Sequence, residues 1–131
     1  MFDKVVIAIG DNIAKKGLLT VERRKQLIAD LYRNEPRVEV CTYSTLTGEV
    51  ARKMGAVAII RGVRNSIDFE YEKTMAQTNR RLFPEIATIM LATPAELSDI
   101  SSSTIREIRA FGGEIAEMMP EGVRLENYMT K

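Results

Sequence analysis

The stretch AVAIIRGVRNSIDFEYE, residues 56–72, places a strand, a loop and the start of a helix in direct succession. Ala56–Ile60 is a short aliphatic run of strand length that ends in a polar segment. We expect Arg61–Asn65 to form the loop after this strand, and Asn65 or Ser66 is suited to cap the helix that follows. The stretch therefore predicts one strand–loop–helix unit of an α/β fold.

The same alternation of strand and helix patterns continues on both sides of this stretch. Aliphatic runs predict three further strands, at Lys4–Gly10, Val38–Thr42 and Ile86–Leu91. Apolar residues at helical spacing predict five helices. The first follows Thr20, the second is short, runs through Leu46, Val50 and Met54 and ends at Gly55, and the third is long and ends at about Phe83. The fourth runs through Ile105, Ile108 and Phe111, and the last is short and lies around Ile115–Met119. Such alternation is typical of an α/β sheet with parallel strands, where ligands bind at the carboxyl ends of the strands.

The long helix carries one apolar stripe, formed by Ile67, Tyr71, Met75, Thr78 and Leu82. Residues at this spacing share one face of a helix. We expect this face to pack in the core.

The bulk composition excludes several classes of function. The chain has 131 residues, no histidine and a formal net charge of +1. The absence of histidine excludes a histidine general base and a histidine-ligated metal within this sequence, and the charge balance gives no reason to expect nucleic acid as a partner. The longest aliphatic runs are too short to span a bilayer, and the single Cys41 excludes an intrachain disulfide. A cytoplasmic location fits this cysteine usage.

Two basic segments follow predicted strands and are candidates for binding anions. In Arg61-Gly62-Val63-Arg64, a glycine between two arginines lets the backbone approach a phosphate that both guanidiniums engage. The structural alternative is that both arginines pair with nearby acids such as Asp68 and Glu70. Lys15-Lys16-Gly17 is similar in charge, although lysines in a loop are more often simply solvated.

A run of three serines, Ser101-Ser102-Ser103, opens the predicted helix through Ile105. Hydroxyls beside the free N–H groups of a helix N-terminus form a site that suits an anion. The structural alternative is that one serine caps the helix, which is the commoner role of such a residue. Neither a G-x-G-x-x-G turn nor a G-x-x-x-x-G-K-[ST] loop is present, so a dehydrogenase or a Walker-type NTPase is not indicated.

Taken in order, these motifs resemble bacterial phosphopantetheine adenylyltransferases. The resemblance rests on Ile60–Arg64, then Asp68–Glu72, then Asn79-Arg80, then Ile100–Ser103, and it covers essentially the whole chain. It implies a doubly wound, Rossmann-like parallel sheet of the nucleotidyltransferase type, and one such domain over residues 1–131. It also implies adenylyl transfer from ATP to 4′-phosphopantetheine, which gives 3′-dephospho-coenzyme A and pyrophosphate.

The resemblance further implies Mg²⁺ with the ATP, a cytoplasmic homohexamer, and a set of site residues. Lys15, which would bridge the acceptor and the α-phosphate, falls at a phosphopantetheine-binding position, together with Thr47 and Arg61. The ATP-binding positions are Gly62, Val63, Arg64, Glu72, Leu97, Ser98, Asp99, Ile100, Ser101, Ser102 and Ser103. No metal-ligating residue of the protein is implied.

The family pattern G-x-F-D-P-x-T-x-G-H does not occur in this sequence. In the family, the strand that leads into this pattern would be central in the sheet, between the strands at Lys4–Gly10 and Ala56–Ile60. The histidine of the pattern would stabilise the transition state. We therefore expect an N-terminally incomplete domain in which catalysis is strongly impaired, since preorganised charge stabilisation is usually the largest catalytic contribution. The alternatives are a non-catalytic fragment and a nucleotide-binding α/β module.

Overall fold

The computed structural model describes residues 1–11 and 17–129. These residues form two compact units, which are described separately. One unit comprises Met1–Ser44 and Ser101–Lys131, and the other comprises Thr45–Ile100. The prediction of a single nucleotidyltransferase-like domain over residues 1–131 stays a prediction.

The first unit contains two parallel strands, β1 (Val5–Gly10) and β2 (Val38–Tyr43), with Val5 opposite Val38 and Gly10 opposite Tyr43. Its helices are α1 (Val21–Leu31) and α4 (Ser102–Ala110), followed by two short 3-10 helices, Ala116–Met118 and Leu125–Tyr128. Its core consists of Leu19, Ile115 and Leu125, against which α1 and α4 pack Leu27, Ile105 and Ile108.

The second unit contains α2 (Thr47–Lys53), β3 (Ala58–Val63), α3 (Ser66–Leu82) and β4 (Ala87–Ala92), and then a 3-10 helix, Ala95–Leu97. The strands β3 and β4 are parallel, with Ala58 opposite Ala87 and Val63 opposite Ala92. Ala51, Phe83 and Ile86 form the core of this unit. Parallel pairing through an intervening helix confirms the predicted α/β class, and within the described residues each sheet has two strands.

Several helix ends carry a side-chain cap or a glycine in the left-handed conformation. The side chain of Thr20 accepts a hydrogen bond from the backbone of Arg23, and the side chain of Asn65 accepts one from Asp68. Gly55 and Gly112 have φ of 69° and 75°, the left-handed conformation that glycine adopts readily after a helix. These ends were predictable because each depends on residues within one turn.

The boundary of β3 corrects one prediction. We expected a strand at Ala56–Ile60 and a loop from Arg61, but β3 begins at Ala58 and continues to Val63. Arg61 lies opposite Met90 and Gly62 opposite Leu91 in the pairing with β4. Ladder hydrogen bonds to a neighbouring strand therefore outweigh the loop preference of the Arg-Gly segment.

The apolar stripe of α3 is also placed differently from the prediction. Ile67 is 79% exposed, Tyr71 63% and Leu82 52%, so this face does not lie in the core. The buried residue of α3 is Glu72, which follows Tyr71 and is therefore rotated by about 100° around the helix. The spacing of the stripe was correct for a helix, but it did not identify the face that packs on the sheet.

Candidate functional site

Arg61 near the carboxyl end of β3 forms a two-point ion pair with Glu72 of α3. The Nε of Arg61 donates to Oε2 of Glu72 over 2.9 Å, and its Nη2 donates to Oε1 over 2.8 Å. The side chain of Glu72 is only 9% exposed, whereas that of Arg61 is 45% exposed. Parallel hydrogen bonds of this kind fix the plane of the guanidinium as well as its position.

Arg64, three residues further on, forms a similar pair with Asp68 in the first turn of α3. Its Nε donates to Oδ2 of Asp68 over 2.9 Å, its Nη2 to Oδ1 over 3.3 Å, and its backbone N–H to Oδ2 over 3.1 Å. The guanidinium and then the backbone N–H of Arg64 lower the pKa of Asp68, and the carboxylate in turn raises the pKa of Arg64. Arg64 thus pairs with Asp68, one of the acids that the structural alternative named, whereas Arg61 pairs with Glu72 rather than Glu70.

Gly62 and Val63 lie between the two arginines and complete β3. Among the described residues, a Cβ added at Gly62 would approach only Oγ1 of Thr93, at 3.8 Å, which is an ordinary contact. Protein packing therefore does not require glycine at this position. Close approach of a ligand to the backbone would require it, as the sequence pattern suggested.

The resemblance assigns two further positions, besides Arg61, to phosphopantetheine binding, and the structure describes one of them. Thr47 is the first residue of α2, in the same unit as Arg61. Lys15 lies outside the described residues.

The segment Leu97–Ile100 forms a tight turn at the end of the second unit. Ser98 donates its Oγ hydrogen to the carbonyl oxygen of Ala95 over 2.8 Å, and the N–H of Ile100 donates to the carbonyl oxygen of Leu97 over 3.1 Å. The side chain of Asp99 is exposed. The predicted ATP-binding stretch Leu97–Ser103 is divided between the two units after Ile100.

The three serines at the start of α4 have different environments. Ser101 is the N-cap, and its Oγ accepts a hydrogen bond from the backbone N–H of Thr104 over 3.1 Å. Ser102 and Ser103 are exposed in the first turn of the helix, and Nη2 of Arg106 donates to Oγ of Ser103 over 3.3 Å. Capping therefore occupies one hydroxyl. Ser103 lies beside the cation of Arg106, and both Ser102 and Ser103 lie at a helix N-terminus, which favours anions.

Sequence reasoning assigned no role to Arg106 and did not identify the partner of Arg61. Ser103 and Arg106 are three residues apart in a helix, a spacing that brings side chains together and could have indicated the contact. Arg61 and Glu72 are 11 residues apart and on different elements. No local spacing rule relates them, because their contact depends on how α3 packs on β3.

The described part of the chain contains no group of three or more His, Cys, Asp or Glu residues able to hold a metal ion. None of its helices is long and apolar enough to cross a membrane.

A parallel α/β fold with arginines near the carboxyl end of a strand suits the binding of a phosphate-bearing ligand, and comparison with known proteins narrows the class of protein. The family model described as cytidylyltransferase-like matches residues 1–108. Three curated relatives carry the name phosphopantetheine adenylyltransferase. Those of Porphyromonas gingivalis and Flavobacterium johnsoniae are each 45% identical to this chain over 126 residues, which is 96% of this chain and 82% of the relative.

The third relative, from Desulforamulus reducens, is 40% identical over 121 residues, which is 92% of this chain and 75% of the relative. The chain therefore belongs to the phosphopantetheine adenylyltransferase family.

Proposed function

We propose that this chain transfers an adenylyl group from ATP to 4′-phosphopantetheine, in coenzyme A biosynthesis. The observation that carries the proposal is the pair Arg61 and Arg64, which flank Gly62 near the carboxyl end of β3 in a chain 45% identical to phosphopantetheine adenylyltransferases. Both substrates are phosphate esters, and guanidiniums are the side chains best suited to bind phosphate at two points.

The reaction needs little acid–base chemistry from the protein. An oxygen of the acceptor phosphate attacks the α-phosphorus of ATP and forms a new P–O bond. The bond from that phosphorus to the oxygen shared with the β-phosphate breaks, and pyrophosphate leaves with the electron pair. Because the attacking oxygen is already anionic, catalysis consists mainly of aligning two anions and offsetting their charge.

Each predicted site residue has a part in this scheme. Arg61 and Thr47, together with Lys15, hold the acceptor phosphate, and Lys15 also bridges to the α-phosphate. The segment Gly62–Arg64, Glu72 and the segment Leu97–Ser103 bind ATP. Ser102 and Ser103, at the N-terminus of α4, meet the outer phosphates.

Magnesium enters this scheme as part of the nucleotide substrate. The acidic residues of the described chain do not converge as a set of metal ligands, so this donor set does not suit a resident ion. The phosphate oxygens of ATP supply the oxygen ligands that Mg²⁺ prefers. We further propose a cytoplasmic location and assembly into a homo-oligomer, with six copies as in the family.

The direct test incubates the chain with MgATP and 4′-phosphopantetheine. Release of pyrophosphate and formation of 3′-dephospho-coenzyme A, identified by mass spectrometry, are the expected results. Calorimetric titration with each substrate accompanies this assay, since binding is measurable even when turnover is slow. Binding of ATP with no affinity for 4′-phosphopantetheine would overturn the proposal and favour a nucleotide-binding module.

A matched pair of variants tests the part played by Arg64. We expect Arg64→Ala to weaken ATP binding about tenfold, the effect of losing one charge-assisted contact to phosphate. Arg37→Ala is the control, because Arg37 forms a similar exposed, two-point pair with Glu35 elsewhere in the chain. Equal effects of the two substitutions would show that Arg64 has no specific role.

A further inference from the structure

We propose that Phe83 is a positioning residue for the acceptor substrate. Its ring packs against Gly48 in the first turn of α2 and thereby places the neighbouring Thr47, which holds 4′-phosphopantetheine in the proposed function. This inference rests on that function. It adds Phe83 and Gly48, neither of which is among the site residues that the family resemblance implies.

The first argument is how closely the ring of Phe83 approaches the backbone at Gly48. A Cβ added to Gly48 would lie 2.0 Å from Cδ2 of the ring, 2.3 Å from Cε2 and 2.5 Å from Cγ. Carbon atoms pack at about 3.5–4.0 Å, so a side chain at this position would push the helix and the ring apart by more than about 1 Å. Protein packing therefore requires glycine here, in contrast to Gly62.

The second argument is that α2 is weak as a helix on its own. It has seven residues, its N-cap Leu46 forms no side-chain capping hydrogen bond, and glycine within a helix is unfavourable. The helices α1, α3 and α4 are each capped by a side chain. The position of α2 therefore depends on its tertiary contacts, and the contact between Gly48 and Phe83 is a buried one.

The third argument is that Phe83 is the better fixed of the two partners. Its backbone N–H donates to the carbonyl oxygen of Asn79 over 2.7 Å, and its own carbonyl oxygen accepts from the N–H of Ile86 over 3.0 Å. These hydrogen bonds tie it to the end of α3, a helix of 17 residues, and to the segment that leads into β4. A clash between ring and helix would therefore displace α2, and Thr47 with it.

Arg52 provides a second contact between α2 and the same ring. It follows Gly48 by four residues and so lies on the same face of the helix. Its guanidinium is 4.7 Å from the centroid of the Phe83 ring, and its Nε donates to Oε1 of Glu85 over 2.6 Å. The side chains of Arg52 and Glu85 are 55% and 50% exposed, so their ion pair stabilises little. The buried contact at Gly48 is therefore the stronger constraint on α2.

The position of α2 should matter for one substrate and not for the other. Thr47 lies on α2, whereas the predicted ATP-binding residues lie on β3, on α3 and in the segment Leu97–Ser103. Displacement of α2 should therefore weaken the binding of 4′-phosphopantetheine and leave the binding of ATP intact. A general loss of packing would instead affect both substrates.

The test measures the affinities of Gly48→Ala for both substrates by isothermal titration calorimetry. We expect the Kd for 4′-phosphopantetheine to rise about tenfold, because a shift of about 1 Å disturbs a positioned contact, and the Kd for ATP to stay within about twofold. An unchanged Kd for 4′-phosphopantetheine would overturn the inference. Similar losses for both substrates would show a merely structural role and overturn it as well.

A second substitution tests whether the effect passes through the ring. Methionine is unbranched and adapts to the space available, so Phe83→Met should make room for the methyl group of Gly48→Ala. We expect the double variant to bind 4′-phosphopantetheine about threefold more tightly than Gly48→Ala alone. No recovery would show that the ring does not transmit the effect, and the inference would fail.

The single variant Phe83→Met decides the matter if circular dichroism shows that Gly48→Ala does not fold. Loss of the ring loosens the first turn of α2, so the Kd for 4′-phosphopantetheine should rise about threefold and the Kd for ATP less than about twofold. Unchanged binding of 4′-phosphopantetheine by this variant would contradict the inference.

Gly113→Ala is the matched control, since a Cβ there would also clash with a side chain, 2.7 Å from Cγ2 of Ile108, but in the other unit. We expect its Kd for 4′-phosphopantetheine to stay within about twofold of wild type. A loss equal to that of Gly48→Ala would show that any clash in a core has this effect, and the role of Phe83 would be refuted.

The wild-type chain separates the two levels of the proposal. If it does not bind 4′-phosphopantetheine, the proposed function fails together with this inference. If it binds this substrate and Gly48→Ala binds it equally well, only the role of Phe83 is wrong.

Discussion

At the scale of single residues, the pair between Arg64 and Asp68 makes folding stability depend on pH. The Arg64 side chain and backbone N–H lower the pKa of Asp68 in the folded chain. A group whose pKa is lower when folded stabilises the fold above its unfolded pKa, and this contribution is lost as pH falls through the folded pKa. The stability that Asp68 contributes is therefore lost in acid, between the usual pKa of an aspartate and the lower pKa of Asp68 in the folded chain.

We predict that Asp68→Asn lowers the free energy of unfolding at pH 7 and that its effect diminishes in acid. The reason is that a protonated Asp68 no longer accepts two charge-assisted hydrogen bonds from Arg64, so wild type and variant become alike. Urea titrations of both proteins between pH 7 and about pH 2 measure the difference. A difference that is the same at every pH would contradict the prediction.

As the alternative to phosphate binding, the sequence offered pairing of the two arginines with Asp68 and Glu70, which includes the partner of Arg64 but not that of Arg61. Asp68 is four residues from Arg64 and within its reach by local geometry. Glu70 and Glu72 are both candidates for Arg61 by distance along the chain. Only the packing of α3 on β3 places Glu72 on the inner face and Glu70 on the exposed face.

At the scale of elements, the serines at the start of α4 have two different roles: one caps the helix, and the other two are suited to bind a ligand. Ser101 accepts from the backbone of Thr104 and closes the helix, whereas Ser102 and Ser103 are exposed in its first turn. We predict that Ser101→Ala lowers the free energy of unfolding by about 1 kcal/mol, the usual cost of losing an N-cap hydroxyl. Ser102→Ala is the control and should change it by less than about 0.5 kcal/mol.

The effect of these substitutions on ATP affinity should be the reverse of their effect on stability. Ser102→Ala and Ser103→Ala should weaken ATP binding while stability is retained, because these hydroxyls would contact phosphate in the proposed site. Urea unfolding and calorimetric titration of the same three variants give both quantities. Full stability in Ser101→Ala would contradict the assignment of the cap.

Helix ends and strand ends differed in how well they could be predicted. A cap was predicted at Thr20, at Asn65 or Ser66, and at one of the three serines, because a cap accepts from a backbone N–H only three residues ahead. The structure identifies the caps as Thr20, Asn65 and Ser101. The end of β3 was not recognisable, since it is set by hydrogen bonds to β4, more than 20 residues further along the chain. Because the pairing with β4 could not be recognised from local sequence, Arg61-Gly62-Val63 was expected in a loop rather than in β3.

At the scale of the whole molecule, hydrophobic periodicity predicted the α/β class and the parallel pairing but not the composition of the core. The stripe of α3 has the correct helical spacing, yet Ile67 and Tyr71 are exposed. Periodicity identifies residues that share a face, and the choice of buried face depends on contacts with other elements. Phe83, just beyond the helix, is buried instead, together with Ala51 and Ile86.

The two cores provide a matched experiment on cooperativity, since each contains one buried isoleucine. Ile86 is 4% exposed and packs in the core with Ala51 and Phe83, and Ile115 is 7% exposed and packs with Leu19 and Leu125. Isoleucine to valine removes the same methylene at each site and costs about 1 kcal/mol. We predict that Ile86→Val increases amide exchange mainly in β3 and β4.

Ile115→Val should instead increase exchange mainly in α1 and α4, whose apolar side chains pack around that residue. A loss of about 1 kcal/mol corresponds to roughly fivefold faster exchange through the affected opening. Native-state hydrogen exchange followed by mass spectrometry resolves the segments of both units in one experiment. If either substitution accelerated all of these segments equally, the chain would open as one cooperative body, and the prediction of two separately stabilised cores would be wrong.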